Sequence, residues 1–411
     1  MKKTMAFLLA AVFVFTSFAF VLVLKAGAEE LLMEAELDDA VDASIWEETA
    51  VADVSGVDIS APSAILMEKE SGQIIFEKDA DKQLIPASVT KVMTILLIVE
   101  AVDSGRITMD DMIPVSTKAA SMGGSQVYLE EGEQMSVHDM LKCIVVSSAN
   151  DAAVAMAEHL CGTEQEFAAK MNQRAVELGC TGTNFNNCTG LMDDPSHVTT
   201  ARDIAIMSRE LISHEWIKEF TTIWMDTIRD GTFGLSNTNK LIRFFDGATG
   251  LKTGYTSAAG HCLSATAMRD GVEYIAVVLN CASSQDRFES AKTLLSYGFS
   301  NYTLVDAVPD GALPPIPVTL GEKDTVQPVL EAEEKLLLKK DEASGVQKSV
   351  ELTELLTAPV TAEQTLGKLT ISGADGAVIR EVNIVAADEV LRLSLGDIFK
   401  GLLNLFFFGE E

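Results

Sequence analysis

The chain has 411 residues, with 31 Lys and Arg against 61 Asp and Glu, a formal net charge of −30. A surface this acidic cannot displace counterions from phosphates, so nucleic acid is excluded as a partner. The 47% hydrophobic and 22% charged fractions exclude wholesale disorder. Five His and six Cys show no zinc-ligand spacing, so neither a metal nor any other cofactor is expected.

In chain order, Met1-Lys2-Lys3 is a short positive start, followed by an uncharged apolar run from Met5 to Leu24 and the small residues Ala26-Gly27-Ala28. This predicts a signal peptide over residues 1–28, cleaved after Ala28, with the rest of the chain secreted. A retained anchor is the alternative, since about 20 apolar residues span a bilayer. Residues 29–57 hold ten acidic residues and no Lys or Arg, which reads as a solvated linker. Outside the cytoplasm cysteines pair. Cys180 and Cys188, flanking a Gly/Asn/Thr-rich loop, are the expected pair, whereas Cys143 in its apolar run reads as a buried free thiol.

From Ile59 the pattern becomes globular. Ala64–Met67 and Gln73–Phe76 read as strands joined at Glu70-Ser71-Gly72. Pro86 precedes an apolar helix expected over Ser88–Val102. One long helix is expected over Ser136–Leu160, with Ser136 capping and Asp139 in its first turn, and others over Glu164–Leu178 and Ala201–Ser213. Gly260–Arg269 and Tyr274–Leu279 read as neighbouring strands across the turn Arg269-Asp270-Gly271, and Arg287–Gly298 as a closing helix. Strands at both ends with helices between give an α/β (α+β) domain over residues 58–302 whose terminal segments share one sheet. Prolines at 309, 314, 315 and 317 then lead into short Val/Leu/Ile-rich stretches, read as a small all-β domain over 303–387. Residues 388–411 read as an amphipathic helix: Asp397, Lys400 and Asn404 form a narrow polar stripe, and Phe406-Phe407-Phe408 favours a membrane interface.

Three short motifs carry chemistry. In Ser88-Val89-Thr90-Lys91 the i, i+3 spacing brings the amine to the hydroxyl. Serine needs a base, and a lysine serves when burial or a second cation depresses its pKa. Ser148-Ala149-Asn150 offers a hydroxyl to relay a proton and a carboxamide to hold a substrate amide. Lys252-Thr253-Gly254, preceded by Gly247 and Gly250, fits a strand edge that a substrate backbone or carboxylate approaches closely, and taken alone it fits a turn equally well. His197 and His261 read as structural, there being no G-x-S-x-G elbow. Asp151 reads as a helix-terminus charge.

The order S-x-x-K, S-x-N, K-T-G is that of serine β-lactamases and penicillin-binding proteins. Together with Thr189-Gly190-Leu191, Asn237–Leu241 and Ala358-Pro359-Val360, it makes the chain resemble the low-molecular-mass penicillin-binding proteins, specifically the D-alanyl-D-alanine carboxypeptidases. The resemblance implies a serine β-lactamase/transpeptidase-like fold. It implies a substrate, the peptidoglycan pentapeptide ending in D-Ala-D-Ala, and β-lactam antibiotics as covalent inhibitors. It also implies residence on the extracytoplasmic membrane face through a C-terminal anchoring helix. Ser88 is then the nucleophile, Lys91 its base and Ser148 the proton shuttle. Asn150, Lys252, Thr253, Gly254, Tyr255 and Arg287 bind substrate, with the N–H groups of Ser88 and Tyr255 as oxyanion hole. A serine β-lactamase is a poorer fit, because no E-x-x-x-N follows Asn150 before Lys252. A D,D-endopeptidase differs only in substrate size, and a non-catalytic wall-binding protein has no need of Lys91.

Overall fold

The computed structural model describes residues 57–399, apart from 192–193 and 333–334. The expected signal peptide, nearly all of the acidic linker and the end of the C-terminal helix lie outside the described residues.

Five antiparallel strands form the central sheet: β1 (Ser63–Glu68), β2 (Ile74–Lys78), β3 (Ala248–Thr256), β4 (Gly260–Arg269) and β5 (Val272–Cys281). Their order is β2-β1-β5-β4-β3, so the first and last segments of the domain share the sheet, as expected, and β3 is an edge. The turn at Arg269-Asp270-Gly271 is tight, with Asp270 and Gly271 both at positive φ (51° and 78°), the geometry favoured between right-twisted strands. β5 is buried along almost its whole length because helices cover both faces of the sheet.

Between β2 and β3 lie α1 (Lys91–Asp103), α2 (Val137–Val146), α3 (Asn150–Cys161), α4 (Glu164–Glu177) and α5 (Ala201–Ser213), and α6 (Ser284–Asn301) follows β5. α1 is buried from Lys91 to Val99, the pattern of a central helix, and a 3₁₀ turn over Ala87–Thr90 leads into it. The single helix expected over Ser136–Leu160 is instead two, α2 and α3. Ser136 does cap α2, accepting from the Asp139 N–H, but Ser148 adopts φ +60° and interrupts the run. A helical periodicity continues through such a break because it registers which face is apolar, not whether each φ is negative.

The remaining residues form small sheets. Thr365–Ser372 pairs with Gln347–Leu352 and Val378–Ala386, and Ile316–Thr319 with Thr325–Val326 and Leu356–Thr357. Two modest apolar clusters hold them, one around Val318, Val360 and Val390 and the other around Leu369, Ile371 and Ile384. Pairing runs past Ala387: Val390 bridges Val360 and Arg392 bridges Gly321. Helical residues begin at Leu395, after Ser394, whose hydroxyl accepts from the Asp397 N–H at 3.2 Å. No helix among the described residues is long and apolar enough to cross a membrane.

Candidate active site

The first and third motifs, distant in sequence, meet where the start of α1 abuts the edge strand β3, and the second lies close enough for the adjoining Asp151 to act on the Lys91 amine. Ala87 sits at φ +47°, a costly conformation for a residue with a Cβ, and Ser88 follows at the head of the 3₁₀ turn. One turn on, Lys91 Nζ lies 3.0 Å from Ser88 Oγ and 3.0 Å from the Thr189 carbonyl oxygen. Lys91 is completely buried, and this desolvation holds its amine down at about 7, against an upward pull from Asp151. A buried lysine at that pKa is substantially neutral near neutral pH and holds a lone pair for a proton.

Ser148 and Asn150 flank the break between α2 and α3. The Asn150 amide donates to the Gly123 carbonyl at 2.8 Å. Ser148 Oγ and Asn150 Oδ1 are buried and have no hydrogen-bond partner. Two buried polar atoms without partners are costly unless a ligand satisfies them. Asp151 lies in the first turn of α3, as expected of a helix-terminus charge, and is fully buried: its carboxylate accepts the N–H groups of Val127, Leu129 and Ala152 and ties the 123–129 loop to that turn.

On β3, Lys252 is buried and its amine is pushed well below the ordinary range by desolvation first, then by the charges of Lys91 and Arg287. It donates to the Thr253 carbonyl at 3.1 Å, while the Thr253 hydroxyl donates to that of Thr238 at 2.6 Å. Arg287, on α6, is 8% exposed and donates to the Gly254 carbonyl at 3.3 Å, which fits a buried cation of the site rather than a surface ion pair. Tyr255 is exposed and stacks on His261, ring centroids 4.3 Å apart. Arg287 is thus a buried cation beside Lys252 in a chain of net charge −30, and such a local inversion suits a carboxylate.

His197 is buried and structural. It accepts the Asn186 N–H at Nδ1, leaving Nε2 to donate to Thr90 Oγ1 at 2.8 Å. The expected Cys180–Cys188 disulfide is absent. All six cysteines are free: Cys180 Sγ donates to the Asp203 carbonyl, whereas Cys188 Sγ faces Glu164 3.3 Å away, so the two thiols are committed to different elements. Sequence reasoning gave no part to Asn187 or to the Thr189 carbonyl. A main-chain oxygen has no side-chain signature, so no pattern marks it.

The profile of the D-alanyl-D-alanine carboxypeptidase peptidase family matches residues 48–283, and that of the penicillin-binding protein 5 C-terminal domain matches residues 302–392. The D-alanyl-D-alanine carboxypeptidase DacF of Bacillus subtilis is 40% identical over 335 residues, 80% of this chain and 86% of that one. Penicillin-binding protein 5 of Haemophilus influenzae superposes with a TM-score of 0.72 at 29% identity, covering 83% of this chain and all of that one. Penicillin-binding protein D2 of Listeria monocytogenes, in its ampicillin-bound form, gives 0.55 at 33% identity over 59% of this chain and 99% of its own. On the family profile, which matches more than half of its length, and on these relatives, the chain belongs to the D-alanyl-D-alanine carboxypeptidase family.

Proposed function

We propose that Ser88 attacks the carbonyl of the penultimate D-Ala of a peptidoglycan stem peptide and carries the acyl group until water releases it. The observation that carries this reading is the 3.0 Å contact between Ser88 Oγ and the fully buried Lys91 amine. The Ser88 proton passes to the Lys91 lone pair as Oγ bonds to the carbonyl carbon. The oxyanion so formed is held by the N–H groups of Ser88 and Tyr255, an arrangement worth about 3–4 kcal/mol of barrier per donor. Collapse breaks the peptide bond as Ser148 relays the proton held by Lys91 to the departing D-Ala amine, which returns Lys91 to its neutral form. Asn150 satisfies its free carbonyl on the substrate amide. Lys252, Thr253 and Arg287 receive the terminal carboxylate. Gly254 lets the substrate lie against the strand. A β-lactam ring presents the same acyl carbon and carboxylate, so it acylates Ser88 in the same way.

Release of D-alanine from a D-Ala-D-Ala peptide, with the penicillin adduct mapped to the Ser88 peptide by mass, tests the assignment. An adduct elsewhere, or equal release by Ser88→Ala, rejects it. The signal peptide and the amphipathic tail, with Leu395, Ile398 and Phe399 exposed at its start, support residence on the outer membrane face. Removing residues 394–411 then releases the protein from membranes with soluble turnover intact; unchanged fractionation rejects the anchor.

A further inference from the structure

The Lys91 amine has two polar neighbours, Ser88 Oγ and the Thr189 carbonyl. A neutral amine carries two N–H bonds and one lone pair and rotates about its own C–N bond. An N–H donated to a fixed carbonyl stops that rotation and leaves the lone pair available to Ser88. How firmly the carbonyl is fixed therefore matters to the proton transfer.

The Thr189 carbonyl shares a rigid peptide plane with the Gly190 N–H, and the two point in opposite directions. That N–H donates to Asn187 Oδ1 at 2.7 Å. The same oxygen accepts the Thr189 N–H at 3.0 Å and lies 3.2 Å from the Thr189 hydroxyl. One end of the plane is thus tied to Asn187 and the other to Lys91. Gly190, at φ +71°, has no room for a side chain, since a Cβ there would overlap the Ala87 carbonyl oxygen. Cys188, just before, is pinned separately: its carbonyl accepts the Thr94 hydroxyl at 2.6 Å and its N–H donates to Glu164 at 3.2 Å. Asn187 therefore governs the tilt of one peptide plane rather than the anchorage of the whole loop.

We propose that Asn187 is a positioning residue for the base: its carboxamide oxygen locks the Thr189–Gly190 peptide so that the carbonyl orients the Lys91 amine toward Ser88. This rests on Ser88 as nucleophile and Lys91 as base. The role needs an acceptor oxygen at residue 187, and an aspartate supplies one of the same reach. It adds a negative charge near the amine, which favours the protonated lysine.

The test is the acylation rate by a penicillin across pH, with non-covalent affinity and thermal stability measured alongside. Asn187→Ala is expected to acylate about tenfold or more slowly at its high-pH plateau, with affinity changed less. Asn187→Asp is expected to keep the plateau within about threefold and to shift the apparent pKa of the profile upward. A wild-type rate in Asn187→Ala, or an Asp variant as slow as Ala, overturns the proposal. Should the Ala variant not fold, an unshifted profile in Asn187→Asp overturns it equally. Ser88→Ala runs in parallel. If that variant is still acylated, the assignment of the nucleophile is rejected; if it is inert while Asn187→Ala is unaffected, the nucleophile stands and the role of Asn187 is rejected.

Discussion

Gly254 on the edge strand faces the backbone of the nucleophile: a Cβ there would lie 3.0 Å from the Ser88 nitrogen and 2.8 Å from the Pro86 carbonyl. Both neighbours are main chain, so neither moves aside cheaply. Gly254→Ala is expected to displace β3 from the start of α1 and to slow acylation by about ten- to a hundredfold, the scale for a misplacement near 1 Å. Stopped-flow acylation by a penicillin measures this, and a wild-type rate contradicts the close approach.

The pH dependence follows from Lys91. Its pKa falls from 10.5 to about 7 because the amine is buried, and the base works when neutral. Acylation should therefore rise about tenfold per pH unit below that midpoint and level off above it. A rate flat across neutral pH, with Ser88 still the labelled residue, would remove Lys91 as the base.

Arg287 should report on binding. Its guanidinium approaches the Gly254 carbonyl and adds to the positive surroundings of Lys252. Arg287→Ala is expected to raise KM for a D-Ala-D-Ala peptide by about tenfold, the loss of one charge-assisted contact, with kcat less affected. Steady-state kinetics decide, and a loss confined to kcat would move Arg287 out of carboxylate binding.

Acid stability should depend on His197, held neutral by burial with its pKa lowered from 6.5 to about 4. Within that window the unfolded chain binds the proton and the folded one does not. Stability is therefore complete above the upper value and falls as pH drops toward the lower one, by about 1.4 kcal/mol per unit and roughly 3 kcal/mol in all. Urea unfolding at about pH 5 and about pH 7 measures the slope, which His197→Gln should flatten. An unchanged slope in that variant assigns the acid sensitivity to other groups.

Thiol reactivity checks the cysteines. Burial raises Cys143, Cys180 and Cys281 to about 12 and Cys262 to about 11, and Cys188 is pushed well above its ordinary value. Cys161 is only half-buried. Under native conditions a thiol reagent should label Cys161 first, and after denaturation without reductant all six should react. Four reactive thiols would reinstate a disulfide.

The three motifs, their order and the apolar helix behind Ser88 were legible in the sequence, because each is a local pattern of residue types at fixed spacing; whether Lys252–Gly254 is strand or turn was not. The rest came from folding. Packing put the break at Ser148 into what reads as one helix, drew Asp151 inside to hold a loop, and sent Cys180 and Cys188 to separate partners. It also set the protonation of Lys91 and Lys252, since a pKa depends on how much water and charge surround a group, and brought the Thr189 carbonyl to Lys91 from 98 residues away. Burial, backbone direction and long-range contact belong to the folded chain as a whole, and no window of sequence contains them.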